Sequence, residues 1–430
     1  MSPKPKHVSI AKNLSVSGIV RAYSFDRESQ VGSTATKKFL PNPPNQSATN
    51  FLAGIHSDYT FGKSGFSLGA SYYGAYPFGT NGHNPQFNGL ADNTLPASTL
   101  SSFPETYLKY KSARFTATAG NQFLNEKWES GSDVRLKPAS YQGISAAYNI
   151  TKHLTVGATR VIRFESRTAS AYGRYTLLTA PVLGGPKLPE IDTSGSLLAN
   201  LKYATPYVSA LVENYSFYDI ANLQYAEARG NLSLKGAMPY VALQYVGENQ
   251  AGKAVVGQIH NHTYGIQIGA NVTRNLLANV SYDGSPTDLA TSAAGRFGSS
   301  KLSGSPLFAY GAIASPYSQN YGTDPLFTTS LVGASNVETR STRSFKAGMF
   351  YTSDNKRLQF YATRTYFENI GYVSNDTRYE TDGDITYYLS PVGKGAYKGL
   401  SIRQRYGVFT APSEASKSFQ QARTQLQYSF

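Results

Sequence analysis

The sequence predicts an all-β fold, a transmembrane antiparallel β-barrel of about 18 strands with short periplasmic turns and long external loops. Three observations predict it: an amphipathic C-terminal strand, a chain-long alternation of short and long connections, and the lack of long apolar runs. No run approaches the roughly 20 apolar residues that a spanning helix needs. Only helices and closed barrels satisfy all backbone polar groups in lipid, so any crossing must use strands.

The C-terminal stretch, residues 418–430 (SFQQARTQLQYSF), carries the clearest alternation. One face holds Ala422, Thr424, Leu426, Tyr428 and Phe430, and the other holds Gln421, Arg423, Gln425, Gln427 and Ser429. An apolar face and a polar face on one strand are typical of a wall between lipid and an aqueous lumen. The alternative is the last strand of a soluble sheet. The terminal aromatic resembles the sorting signal of outer-membrane proteins, so assembly machinery that binds this strand is an expected partner.

Composition favours one large barrel over a soluble domain. The chain has 430 residues with 33 Tyr and 22 Phe but a single Trp, which suits aromatic girdles around a wet lumen. No linker or plug domain is apparent, so residues 1–430 are expected to form one domain. With no cysteine, disulfides and thiolate catalysis are excluded. The start, residues 1–10, lacks an apolar signal core, so a signal peptide has either been removed or is absent.

The net charge of +14 predicts an affinity for anions. Nucleic acid is the usual partner of a basic chain, but here the cations are dispersed singly and no nucleic-acid motif occurs. A basic lumen that attracts anions fits this dispersion better, and no nucleic-acid partner is expected.

The alternation along the chain predicts eighteen strands. Their ranges are 14–25, 50–61, 65–76, 107–111, 114–122, 141–150, 154–163, 197–204, 207–218, 223–234, 240–247, 263–272, 276–282, 344–351, 358–367, 378–389, 399–409 and 418–430. Connections are expected to alternate strictly between short and long, as between the two sides of an outer membrane. Both termini then lie in the periplasm, and the last strand pairs with the first.

Side-chain parity predicts a basic stripe inside the barrel. Arg403 and Arg405 share the face opposite Ile402, and Arg423 and Arg21 point inward on the two strands that follow around the ring. The planar fork of arginine binds carboxylates bidentately, and several such cations in line conduct an anion without trapping it. The alternative is that these arginines pair with acidic side chains for structural reasons.

Four stretches carry a resemblance to a known family. They are residues 17–21 (SGIVR), residues 135–138 with 141–143 (RLKP and YQG), residues 323–328 (TDPLFT), and residues 399–406 (GLSIRQRY) with Arg423 on the last strand. In this succession the chain resembles the OprD-like outer-membrane porins, the substrate-specific carboxylate channels. Lys137 stands where a hydrophobic residue is commoner, and Phe327 where Tyr is commoner, so the exact substrate stays open.

The resemblance implies an eighteen-stranded monomeric barrel whose long loops fold inward and narrow the lumen. It implies a ladder of basic residues for a carboxylate, here Arg21, Arg135, Arg403, Arg405 and Arg423. Arg135 joins the ladder if its loop folds inward, and otherwise belongs to a solvated external loop. An acidic or carbonyl-lined pocket opposite is also implied. Asp324 beside Tyr321 is the candidate, with Asp-Pro turn chemistry as the alternative.

Other charged residues have structural or minor predicted roles. Arg378, Glu380, Asp382 and Asp384 share an inward parity and are expected to balance the stripe. Arg364 has lipid-facing parity and is expected to lie at the rim or at a bulge. The pair His260 and His262 is expected in an exposed loop, without a third metal ligand.

Catalysis finds no support in these motifs. A barrel phospholipase needs a Ser/His pair on outer strand faces, and His56 is the only histidine well inside a predicted strand. No enzyme activity, cofactor or metal site is therefore expected.

The sequence predicts a passive, selective channel in the bacterial outer membrane for small anionic solutes that carry a carboxylate, such as amino acids and organic acids. Alternatives are an oligosaccharide or general porin, and an adhesin or structural barrel. Expected partners are these solutes and outer-membrane lipid, with the protein a monomer or a weak oligomer.

Overall fold

The computed structural model describes residues 8–29, 46–78, 95–96, 98–131, 135–178, 191–232, 238–256, 259–285, 313–318, 323–331, 343–368, 377–391, 397–412 and 418–430. The strands within these ranges are β1 Val8–Ala11, β2 Leu14–Ser29, β3 Gln46–Thr60, β4 Phe66–Pro77, β5 Leu100–Lys111, β6 Phe115–Gln122, β7 Ser140–Asn149, β8 Leu154–Glu165, β9 Ser196–Ala204, β10 Val208–Phe217, β11 Ala221–Asn231, β12 Tyr240–Gln250, β13 His260–Asn271, β14 Leu276–Gly284, β15 Arg343–Thr352, β16 Leu358–Glu368, β17 Thr377–Tyr388, β18 Leu400–Thr410 and β19 Phe419–Ser429. Within the same ranges, no helix is long and apolar enough to cross a membrane.

Strands β2 to β19 close into one antiparallel ring, which confirms the predicted barrel. Each strand pairs with its sequence neighbours, and β19 pairs with β2. The ring thus contains the strands from β2 to β19, eighteen in all, while the short β1 adds a second partner to the start of β2. At the seam, the Phe430 amide donates to the Gly18 carbonyl and the Gly18 amide donates to the Phe430 carbonyl, each at 3.0 Å. The closed ring leaves no unpaired edge.

The two faces of the wall follow the predicted parity. On β19, Gln421, Arg423, Gln425 and Gln427 are buried, whereas Leu426 and Tyr428 are exposed on the outer face. On β18, Arg405 is buried and its neighbour Tyr406 is exposed. Arg364 on β16 is exposed on the outer face, as predicted, and donates from Nη1 to the Thr381 hydroxyl at 3.1 Å.

Strand β5 shows where the predicted boundaries are wrong. It begins at Leu100, seven residues before the predicted start, and it includes Pro104. The β4–β5 register shifts between Ser71 and Tyr73, opposite this proline. Proline cannot donate to the ladder, and a bulge accommodates it. Because of Pro104, the sequence at the start of β5 predicts a loop instead of a strand.

The strict alternation of connection lengths is also wrong. Between β10 and β11 the chain turns in three residues, Tyr218 to Ile220, although this connection lies on the side of the long loops. Asp219 has a positive φ of 61°, which permits the tight turn. Its carbonyl accepts the Val255 amide at 2.9 Å, so the turn packs under the next connection on that side.

Two long connections fold into the barrel. Residues 123–139, between β6 and β7, are named loop L3, and residues 285–342, between β14 and β15, loop L7. Trp128 of L3 and Tyr317 of L7 are both buried in the main apolar cluster of the interior. Tyr317 packs against Tyr141, Phe164 and Phe217, with ring centroids 5.1 to 6.1 Å apart.

Candidate functional site

Loop L3 crosses the lumen from one wall to the opposite wall. Near its start, the Trp128 amide donates to the Tyr215 hydroxyl on β10 at 3.1 Å. Near its end, Arg21 Nη1 on β2 donates to the carbonyls of Arg135 and Leu136 at 2.8 and 2.9 Å. In the ring, β10 lies eight positions from β2, close to half-way around. The alternative of a solvated external loop is therefore wrong, because both ends of L3 bind inward-facing side chains.

Loop L7 is held by buried carboxylates on three strands. Glu248 on β12 accepts the Ala314 amide at 2.7 Å, and Asp283 on β14 accepts the Thr328 amide at 2.7 Å. Asp382 on β17 accepts the Leu331 amide at 3.0 Å. Hydrogen bonds from backbone N–H groups to carboxylates are charge-assisted and therefore strong. L7 thus reaches the same side of the lumen as the end of L3.

The predicted basic residues lie together on one wall. We call Arg21, Arg135, Arg403, Arg405 and Arg423 the basic wall. Arg405 and Arg423 are direct cross-strand partners on β18 and β19, and Arg423 faces Phe25 on β2. The charges of Arg405, Arg423, Arg135 and Arg21 all act on Tyr23, which places these four around one side chain. Arg403 lies two residues nearer the periplasmic end of β18 than Arg405.

The five arginines differ in what they bind. Arg21 donates from Nε and Nη2 to Gln427 Oε1 at 2.9 and 2.6 Å while Nη1 holds L3. Arg403 makes a bidentate pair with Asp384, at 2.9 Å from Nε to Oδ1 and 2.5 Å from Nη2 to Oδ2. Arg423 Nη1 donates to the Leu331 carbonyl of L7 at 3.3 Å. Arg21 therefore contributes to the position of L3, and Asp384 neutralises much of the charge of Arg403.

Arg135 is a member of the basic wall with two buried donor nitrogens. Its side chain is 6% exposed, and its Nε and Nη1 find no hydrogen-bond acceptor among the described residues. Its guanidinium carbon lies 6.0 Å from the centre of the Phe25 ring, and its charge acts on Arg405 and Arg423. Buried donors next to like charges are costly unless an anion satisfies them. The surroundings of Arg135 therefore suit an anionic group.

A sixth arginine, Arg27, extends the cluster and was missed by the sequence analysis. It donates from Nε and Nη2 to Gln421 Oε1 at 3.0 and 2.7 Å, and its guanidinium lies 4.7 Å from the Phe419 ring centre. The predicted first strand stopped at Phe25, whereas β2 continues to Ser29. Arg27 shares the parity of Arg21, so a longer strand would have predicted its inward orientation.

A cavity of about 210 Å³ lies beside Arg403. It is lined by Leu331, Phe350, Gln359, Phe360, Tyr361, Asp384, Thr386, Tyr388, Ser401, Arg403, Gln425 and Gln427. Amides, hydroxyls, aromatic rings and one ion pair line the same space, so both a ring and a polar group of a small solute find complementary surface there.

Carboxylates of β10 and of the first part of L3 lie opposite the basic wall. Glu213 on β10 accepts the Lys127 amide at 3.2 Å, and Glu126 accepts Lys202 Nζ at 2.6 Å. Glu129 is fully buried beside the Ser196 hydroxyl, which donates to it. Burial raises the pKa of Glu129 to about 8, and the nearby charges of Glu126 and Glu213 add to this rise. Sequence parity gives Glu213 an inward orientation, but only ring closure places it opposite the arginines.

Of the two residues of the predicted acidic pocket, the structure describes one. Asp324 is buried in L7, and Tyr321 lies outside the described residues. Glu380, Asp382 and Asp384 face inward as their parity predicts. Asp382 binds L7 and Asp384 binds Arg403, so these two carboxylates have specific partners.

Two histidines differ from their predicted setting, whereas His56 lies inside a strand, β3, as predicted. His260 and His262 lie on β13, not in a loop, with ring centroids 4.9 Å apart, and His262 Nδ1 lies 2.7 Å from the Tyr245 hydroxyl. His56 faces the lumen, where its Nδ1 lies 2.8 Å from Ser71 Oγ and 3.1 Å from Glu105 Oε2. Ser71 itself donates to Glu105 at 2.5 Å. A serine nucleophile instead needs a hydrogen bond to a basic histidine nitrogen whose second nitrogen binds the acid.

Comparison with known proteins agrees with this architecture. The profile described as "outer membrane porin, OprD family" matches residues 12–285. The chain belongs to the OprD family. Its location is therefore the outer membrane, and its class is that of a porin. No curated protein matches the chain in sequence.

Solved structures share the fold of this OprD-family chain at low sequence identity. OpdK of Pseudomonas aeruginosa is 13% identical with a TM-score of 0.75, covering 97% of this chain and 98% of that one. A BenF-like porin of Pseudomonas fluorescens Pf-5 is 13% identical with a TM-score of 0.77, covering 97% and 99%. OccK2 (OpdF) of Pseudomonas aeruginosa, solved in complex with glucuronate, is 13% identical with a TM-score of 0.71, covering 97% and 98%. At sequence identities this low, the similarity of these structures establishes the fold and not the substrate.

Proposed function

We propose that this porin is a passive, substrate-selective channel for small anionic solutes that carry a carboxylate, such as amino acids and organic acids. The observation that carries the proposal is the setting of Arg135, whose buried Nε and Nη1 lack acceptors among the described residues. Arg405 and Arg423 lie near enough for their charges to interact with it. A carboxylate at this point would satisfy guanidinium donors for which the described residues provide no acceptor.

Conduction follows from the distribution of the arginines along the wall. An anion attracted to Arg135 would next meet Arg405 and Arg423, and then Arg403 nearer the periplasm. A series of such sites lowers the energy of the anion along a path while no single site holds it strongly. Within this proposal, Arg21 mainly holds L3 in place. Arg135 binds the carboxylate of the solute at the point where L3 narrows the lumen.

The opposite wall would receive the positive end of a zwitterion. Glu126 lies across the lumen from the arginines, and we retain Asp324 as a further candidate for an ammonium group. Two related structures support a carboxylate class, because glucuronate is present in OccK2 and vanillate in another OpdK structure. Both ligands are carboxylates. The proposal assigns the chain no catalytic step.

Single-channel recording in planar bilayers tests this function. We expect an open channel whose current is interrupted by millimolar carboxylates and not by neutral sugars of similar size. Current blocks by oligosaccharides but not by carboxylates would favour an oligosaccharide porin. Absence of conductance from correctly folded protein would favour a sealed structural barrel. The assembly role of the C-terminal strand and a monomeric or weakly oligomeric state remain parts of the proposal, testable by truncation and by sedimentation in detergent.

A further inference from the structure

Loop L3 contains a fully buried ion pair close to Arg135. Lys137 Nζ donates to Glu165 Oε1 at the end of β8, and both side chains are 1% exposed. Removing two such charges from water costs several kcal/mol per ion before their attraction is counted, and apolar residues of similar size often stabilise a fold equally well. Burial accordingly lowers the pKa of Lys137, while the Glu165 charge opposes that change. General stability therefore gives no reason for an ion pair at this place.

The backbone next to Arg135 is held on several sides. Arg21 binds the carbonyls of Arg135 and Leu136, and the Leu136 side chain lies in the buried cluster that contains Tyr23 and Phe25. Lys137 follows at once and is fixed by Glu165. In contrast, the Arg135 side chain has buried donors without acceptors among the described residues. The place of its guanidinium is therefore determined by the backbone that carries it, more than by its own bonds.

We propose that the Lys137–Glu165 pair is a positioning device that holds Arg135 in the constriction and so sets the anion selectivity of the channel, although neither residue touches the permeating solute. The inference rests on the proposed function, because it assumes that Arg135 binds the anion. An ion pair suits this role since its hydrogen bond is directional, whereas an apolar contact permits the backbone to slide or rotate by small amounts. Buried ionic groups have their best-attested use in fixing such registers.

The first test replaces the pair without changing net charge. Lys137→Met with Glu165→Leu should lower the anion-to-cation permeability ratio roughly twentyfold, the combined effect on an anion and a cation of a unit charge that retreats from about 6 Å to about 9 Å at an effective dielectric near 20. The exchanged pair, Lys137→Glu with Glu165→Lys, should restore most of the ratio. The matched control is an L3 ion pair on the far wall, Lys127 Nζ to Glu227 Oε2 at 2.6 Å. Lys127→Met with Glu227→Leu should leave the ratio within about twofold, because L3 keeps its hold on Arg135.

The second test asks whether the pair acts through Arg135. Combining Arg135→Ala with the neutral pair variant should give no further loss of selectivity, because residues that act as a unit are not additive. If Arg135→Ala alone leaves selectivity unchanged, the proposed function fails at this residue. If Arg135→Ala lowers selectivity but the neutral pair does not, the positioning inference is wrong while the proposed function stands.

A third measurement serves if the neutral pair assembles poorly. The chain has no cysteine, so Arg135→Cys introduces a single reporter. We expect a charged thiol reagent added to the lumen to modify it several-fold faster or slower when Lys137→Met, a change of similar volume that removes the hydrogen-bond donor, is also present. Equal modification rates in the two backgrounds would overturn the inference, because the residue at 135 would then occupy the same place without the ion pair.

Discussion

The bidentate pair between Arg403 and Asp384 makes an asymmetric prediction about selectivity. Asp384 lies on β17 directly opposite Arg405 and binds Arg403 with both oxygens. Its carboxylate therefore neutralises positive charge beside the proposed path. Asp384→Asn keeps the shape of the side chain but removes its charge, so the channel should become more selective for anions.

The size of this change follows from Coulomb's law. A unit charge about 7 Å from a permeating anion changes the energy of that anion by roughly 0.6 kcal/mol at a dielectric of 80 and by roughly 2.4 kcal/mol at 20. The lower figure corresponds to about a threefold rise in anion permeability and, because the energy of a cation changes by the same amount in the opposite direction, to about a sevenfold rise in the anion-to-cation permeability ratio. Salt should weaken the effect, because the Debye length falls from about 10 Å at 0.1 M to about 3 Å at 1 M.

The assay is the reversal potential of the channel in a potassium chloride gradient. We expect Asp384→Asn to shift it toward the anion limit, Arg403→Gln to shift it toward the cation limit, and the double variant to lie near the wild type. Asp354 offers a control, because it pairs with Arg274 on an exposed periplasmic turn. Asp354→Asn should change nothing. An unchanged or cation-shifted Asp384→Asn channel would refute the assignment of Asp384 to the conducting wall.

Three further predictions concern L3 and the closing strand. Burial raises the pKa of Glu129 from 4.5 to about 8, so docking of L3 is most stable below about pH 4.5, where Glu129 is protonated in both the docked and the undocked loop, and weakens progressively up to about pH 8. Open-channel current noise should accordingly grow between about pH 4.5 and 8, and Glu129→Gln should abolish that growth; equal noise at all pH values in the wild type would contradict this. Tyr428→Asp places a charge on the lipid face near the interface and should cost on the order of 1 kcal/mol of unfolding free energy in lipid vesicles, whereas Tyr428→Phe should cost less. Deletion of Phe430 removes both hydrogen bonds to Gly18 and should lower membrane yield more than conductance; normal yield would exclude the terminal aromatic as an assembly signal.

Orientation of side chains could be predicted from the sequence, because a strand has a period of two and lipid tolerates few polar groups. Arg405 and Arg423 are buried in the interior, and Arg403 binds the buried Asp384, as the parity of their strands predicts. The ends of the strands were harder to predict than the orientation of their side chains. Pro104 reads as a loop residue although a bulge keeps it within β5, and the early end predicted for β2 hid Arg27.

The partners of the basic wall could not be predicted, because they depend on loops that return from distant parts of the chain. Arg21 was expected to conduct, yet its guanidinium binds carbonyls of Arg135 and Leu136, more than a hundred residues away. Lys137 appeared only as a departure from a family pattern until its pairing with Glu165 was seen. Glu213 has a predictable orientation, but its place opposite the arginines requires the closed ring.

The most direct test of the account is the selectivity of a channel in which Arg403, Arg405 and Arg423 are all replaced by alanine. Its reversal potential in a salt gradient should move toward cation preference, and its flux of carboxylates should fall more than its flux of neutral sugars, because only the carboxylate loses bidentate partners. Lysine at the same three positions should retain ion selectivity but discriminate carboxylates less well, since lysine lacks the planar fork. A triple-alanine channel with wild-type reversal potential and wild-type carboxylate flux would show that these arginines serve the structure of the barrel and do not conduct its substrate.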